Sequence, residues 1–333
     1  MRTLIDFADA PIFAIPVVDA RTGRDGFREG MLIEGPQGWG EFSPPRDCGR
    51  EEAVRWLTAA TEVGTVGWPD PVRGRVPVSV TIPAVDATVA HRMVLDANCG
   101  TADVAVGIST DSLSSDLARL EAVRDAIGPA GTIRCGAGGT WDADGAISAI
   151  PLLDEAAGGL EYVERSCRTV EEHATVRRGV DVRIAADESI RHAADRVGTP
   201  LKDVVDVVVL RCFPLGGVRR ALRVAELCDM PAVVSSTTDT TIGLSAGLAL
   251  AGALPELPFA CGLGTRLLLS GDVVADGRSL VPVDGYLPVA PTPPTPDPEL
   301  VARYRMVDRA DIAWWRARLG ALIDPDPTPP RTS

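Results

Sequence analysis

Lysine is almost missing from this chain. In 333 residues Lys202 is the single lysine, and every other member of the 33 Lys and Arg is arginine. Arginine stays protonated near neutral pH, so any mechanism needing two lysines, one as proton acceptor, is closed. Long apolar runs are lacking as well: none approaches the ~20 residues of a membrane-crossing helix. The N-terminal MRTLIDFADAPIF carries no basic patch ahead of an apolar core, so a cytoplasmic protein is expected. No C-x-x-C pair occurs among Cys48, Cys99, Cys135, Cys167, Cys212, Cys228 and Cys261. An odd, scattered set of this kind reads as reduced thiols, mostly buried. There is no P-loop, and no G-x-G-x-x-G follows an early strand, which disfavours nucleotide and dinucleotide binding. Positive charge is in deficit too. A net charge of -13 repels nucleic acid and anionic membranes, leaving a small-molecule substrate as the expected partner.

What is present divides into two rhythms. Residues 1–76 read as a small α+β unit, with strand-like PIFAIPVV and REGMLIEGPQGWGEF around a GPQG turn. REEAVRWLTAATEVG has helical spacing and a glycine stop, and the polar segment Asp19–Gly30 reads as a loop. Over 77–279, short apolar runs alternate with amphipathic helical stretches, the pattern of parallel βαβ units closing into a barrel. Residues 280–322 return to complete the first unit, with Ile312, Trp315 and Leu319 as docking positions, and 323–333 is a Pro-rich tail.

Chemistry in such a barrel gathers where strands end. The tips read off the sequence are Asp103 and Ala105, Gly136 and Gly138, Glu164, Asp187 with Glu188, Arg211, Ser235 and Ser236, and Gly262 to Thr265. Strand side chains alternate, so Asp103 and Ala105 share a face, as do Arg134 and Gly136. His91, His173 and His192 fall on no tip and read as surface residues.

The motifs GWGEFSP, LEYVE, IAADESI, PLGGVRRALRVAE, VVSS and GLSAGLALAGALPELPFACGLGT, in this order and spacing, resemble the o-succinylbenzoate synthase family of the enolase superfamily. The resemblance runs to about residue 290 and implies a capping domain over a modified (β/α)7β barrel. It implies dehydration of a cyclohexadiene carboxylate in menaquinone synthesis, with Mg²⁺ on three carboxylates and a lysine on each side of the substrate. Matched position by position, the family's K-x-K falls on Asp103 and Ala105, and the opposite lysine on Arg211. The first metal-binding Asp falls on Gly136 and the Asn beyond it on Gly138, while the other two ligands match Glu164 and Asp187.

Both lysines and one ligand are therefore replaced. The expected catalytic set is Asp103, Glu164, Asp187 and Arg211. Arg134, Gly136, Gly138, Glu188, Ser235, Ser236, Gly262, Gly264 and Thr265 are expected around the substrate. No cofactor is expected, with Glu164 and Asp187 leaving at most weak Mg²⁺ binding. Arg211 is expected to pair with Glu164 or Asp187, Asp103 to bridge to Arg134 or Arg211, and the small residues to reshape the pocket or admit a loop. The leading expectation is a repurposed, metal-independent cyclase, lyase or isomerase of specialised metabolism. The alternatives are a genuine o-succinylbenzoate synthase and a non-catalytic binding protein.

Overall fold

The first apolar stretches build an antiparallel meander, β1 (Ile12–Pro16), β2 (Phe27–Gly35) and β3 (Gly38–Phe42), with GPQG turning β2 into β3. The computed structural model describes residues 5, 7–17, 26–109, 112–187, 192 and 198–324. Residues 19–25 of the expected loop lie outside that set, but Phe27–Gly30 are strand rather than loop. Gly30 shows why: a Cβ there would lie 2.0 Å from Ser43 Oγ, so the strand needs a glycine to approach its neighbour. Helix α1 (Arg50–Thr65) covers the sheet, its Trp56 stacked on Phe213 of the barrel at 5.1 Å.

Seven parallel strands follow in the sheet order β11-β10-β9-β8-β7-β6-β5. They are β5 (Val80–Ile82), β6 (Thr101–Ala105), β7 (Thr132–Gly136), β8 (Leu160–Glu164), β9 (Ile184–Ala186), β10 (Val207–Arg211) and β11 (Ala232–Ser235). Residues 261–262 act as the closing stave. Gly262 N donates to Val234 O at 2.8 Å on one side, and Cys261 N donates to Pro77 O at 2.8 Å on the other. The sheet is thus a modified (β/α)7β barrel, and closure leaves neither outer strand of the row with a free edge. The outward-facing strand residues and the helices around them form the main core, and Tyr162, Val207, Val209, Val233 and Phe259 form a separate cluster.

The chain then returns. Strand β12 (Tyr286–Pro288) pairs antiparallel with β4 (Arg75–Pro77), and the last helix (Arg309–Ile323) docks on the cap. Trp315 is buried with its edge against Phe42, Leu319 is buried beside it, and Ile312 is half-buried in the same cluster. Full burial of a side chain such as Leu319 stabilises by roughly 1.5–3 kcal/mol. The tail from residue 325 lies outside the described residues. Among the described residues no helix is long and apolar enough to cross a membrane.

Candidate active site

Three strand tips meet at one guanidinium. Glu164 ends β8, Asp187 follows β9 and Arg211 ends β10, so the sheet order places them side by side. Arg211 donates one amino group to Asp187 Oδ2 at 2.9 Å and the other to Glu164 Oε1 in a close contact. Both expected partners are therefore held at once. Arg165, the residue after β8, lies 3.8 Å from the same Asp187 oxygen. Glu164 and Asp187 are buried, and burial pushes the Glu164 carboxyl above its ordinary range, while Arg211 pulls it down.

On the neighbouring strands Asp103 pairs in register with Arg134, and Ala105 with Gly136. Asp103 Oδ2 takes the Arg134 Nε contact at 3.3 Å. Arg134 itself is not at the mouth. It is 1 % exposed, donates to Ser79 Oγ and Ala260 O at 2.7 Å, and lies 5.1 Å from the Tyr162 ring. This corrects its expected place around the substrate: it is a barrel-interior plug one layer down, committed to protein partners. Gly136 keeps open space above it, since a Cβ there would meet only Asp103 Oδ1, at 3.9 Å.

The run after β7 is a fixed loop. Ala137 N donates to Glu164 O at 3.0 Å, Gly139 N to Arg165 O at 2.6 Å, and Arg168 Nε back to Gly139 O at 2.8 Å. Gly138 and Gly139 have φ of +66° and +73°, the left-handed region where glycine carries no Cβ penalty. Those two glycines answer a backbone demand.

At the far side of the mouth the expected substrate residues are largely occupied. Ser236 Oγ donates to Asp239 at 3.0 Å and accepts from Thr265 Oγ1 at 2.9 Å. Gly262 and Gly264 permit closure: a Cβ would sit 2.7 Å from Ser235 Oγ or 2.3 Å from Ser79 O. Both are corrected from pocket lining to close-approach positions. Ser235, Ser236 and Arg211 border a slot of only about 10 Å³, space for a single water at most. A cavity of about 520 Å³ exists between the cap sheet and the C-terminal helices, bordered by Trp39, Leu32 and Met306, and it contains no strand tip. Glu188 lies outside the described residues.

Sequence reasoning missed the joint between cap and barrel. Glu41 on β3 accepts from Thr240 N and Thr240 Oγ1, and Arg28 on β2 donates to Asp239 at 2.8 Å. Burial and the nearby Asp239 push Glu41 up to about 7. Nothing local distinguishes Glu41 from a solvated acid. His173 is likewise corrected: it is fully buried, its Nε2 donates to Cys167 O at 3.1 Å, and burial lowers its pKa. Cys99, Cys135, Cys167, Cys212 and Cys261 are buried, and all seven thiols are free.

These tips do not make a good Mg²⁺ site. The ion requires an octahedron of oxygens, and among the described residues only Glu164 and Asp187 stand at matching positions, with Arg211 between them and no donor on Gly136. Among the described residues no group of three acidic, histidine or cysteine side chains is arranged to hold a metal ion.

Residues 85–294 match the family described as enolase C-terminal domain-like, and residues 25–64 match enolase N-terminal domain-like. An o-succinylbenzoate synthase of Thermobifida fusca (strain YX) is 50% identical over 93% of this chain and 94% of its own. One from Mycobacterium leprae (strain TN) is 42% identical over 88% and 85%. Among solved structures, muconate lactonizing enzyme from Pseudomonas fluorescens superposes with a TM-score of 0.75 at 20% identity, covering 92% of this chain and 100% of that one.

Proposed function

The chain belongs to the o-succinylbenzoate synthase family of the enolase superfamily, and from that premise we propose that it dehydrates a cyclohexadiene carboxylate to o-succinylbenzoate in the cytoplasm. The observation that carries this reading is 50% identity spanning cap and barrel alike. It also corrects the expectation of a pocket repurposed for specialised metabolism: relatives this similar, over nearly their whole length, are named for the synthase reaction.

The reaction needs a proton acceptor and a positive group facing the developing enediolate. Arg211 supports the second role but stays protonated, so it cannot supply the first. Proton transfer then falls to a carboxylate. Asp103 is the better placed, because Glu164 is clasped by Arg211 while Asp103 has only the longer 3.3 Å contact with Arg134.

The test is incubation of the purified protein with the family substrate and mass-spectrometric detection of o-succinylbenzoate. Product formation that falls by about 10²-fold or more in Asp103→Asn supports both the reaction and the acceptor. Absence of product at any pH and metal concentration refutes the assignment.

A further inference from the structure

We infer that Arg211 is the built-in cation of this mouth, fixed between Glu164 and Asp187 so that the site excludes a divalent ion. The inference rests on the proposed synthase reading only for the anion that the cation would face. Three observations carry it, and each is geometric.

First, one side chain satisfies two buried carboxylates from neighbouring strand ends, with Asp187 Oδ2 at 2.9 Å and Glu164 Oε1 in close contact. Two acids buried side by side need a cation, and a forked guanidinium reaches both at once. Second, among the described residues each carboxylate of the mouth has a guanidinium within 4 Å: Asp103 has Arg134 at 3.3 Å, Glu164 has Arg211, and Asp187 has Arg211 and Arg165 at 3.8 Å. A divalent ion entering such a balanced set would face repulsion from Arg211 and would have to displace it. Third, the acid missing from Gly136 is replaced from the adjacent strand. Asp103 Oδ1 lies 3.9 Å from where a Cβ of residue 136 would stand, while its Oδ2 takes the contact from Arg134. The negative charge is kept while the chelating geometry is lost.

A single positive charge on a delocalised plane opposes an enediolate less strongly than a divalent ion does. It needs no loading, however, and it cannot be stripped.

The experiment is a Mn²⁺ titration followed by electron paramagnetic resonance, on the wild-type protein and on Gly136→Asp/Arg211→Lys. This double change restores the third acid, in the open space above residue 136, and shortens the cation. The expected result is no stoichiometric Mn²⁺ binding by wild type and one bound ion in the double variant. One tightly bound Mn²⁺ in wild type, lost in Glu164→Gln, overturns the inference without any variant of Arg211 having to fold. Turnover of the family substrate is measured alongside, with and without chelator. Chelator-resistant turnover supports the inference. Turnover abolished by chelator and restored by Mg²⁺ refutes it while upholding the synthase assignment. No turnover, with wild type silent to Mn²⁺, refutes the assignment and leaves the built-in cation standing.

Discussion

Glu41 of the cap and Thr240 of the barrel are locked together: Thr240 donates its backbone N–H and its hydroxyl to Glu41 Oε2, at 3.1 and 2.5 Å. Arg28 and Asp239 flank this joint, and Ser236 ties Asp239 to the mouth. The cap is thereby coupled to the β11 loop through buried charge.

That joint makes stability depend on pH. Glu41 is raised from 4.5 to about 7 in the folded protein, so folding favours its protonated form. Its contribution is fully present below about pH 4.5 and is lost as pH rises through about 7. The shift corresponds to about 3 kcal/mol at ~1.4 kcal/mol per pH unit. Urea unfolding of wild type and Glu41→Gln across pH 4–8 should show the variant gaining relative stability toward the alkaline end. A flat difference curve would sink this expectation.

Removing the Arg211 charge should leave Glu164 and Asp187 buried without their shared partner. We expect Arg211→Met to cost about 3 kcal/mol, seen as a lower Tm at pH 8 and partly recovered at pH 5, because burial already raises the Glu164 carboxyl and the variant removes the arginine that lowers it. An unchanged Tm at both pH values contradicts the pairing.

The two loop glycines should differ. Gly138 has φ of +66° with nothing nearby, whereas a Cβ on Gly139 would lie 3.1 Å from Cys167 O. Gly138→Asn should be nearly neutral, because Asn tolerates the left-handed region, while Gly139→Ala should lose about 1–2 kcal/mol. Equal chemical-denaturation midpoints for the two variants would contradict this account.

Lys202 sits exposed in a short 3₁₀ turn (Leu201–Asp203) ahead of β10, at the strand end opposite Arg211. Reductive methylation should modify one side chain and leave both Tm and turnover unchanged. Loss of either on methylation would assign this lysine a role that its position denies.

The alternation of apolar strands and amphipathic helices was legible because periodicity is local, and it set the barrel and the strand tips. The sequence leaves Asp103 a choice between Arg134 and Arg211, and the β6–β7 register is what sets it against Arg134. Arg134 was misplaced because a tip and the layer beneath it differ by one residue pair along a strand. Only the β7–β8 register and the contacts with Ser79 and Ala260 put it inside. Gly262 and Gly264 looked like pocket glycines until closure of the barrel pressed their backbones against Ser235 and Ser79.

By itself, then, the order of residues determined which side chains the mouth owns: no lysine, two of three acids, one arginine opposite. The absence of a second lysine follows from composition, whereas the count of acids is what the family resemblance implies. What tertiary structure alone decided is which of the possible pairings form, with Arg211 taking both acids, and that the cap's Glu41 meets Thr240. Glu164 and Arg211 are 47 positions apart, and Glu41 and Thr240 are 199 apart. Such pairs depend on how strands are ordered and how the cap docks, since an ion pair or hydrogen bond acts over a few ångströms of space rather than along the chain.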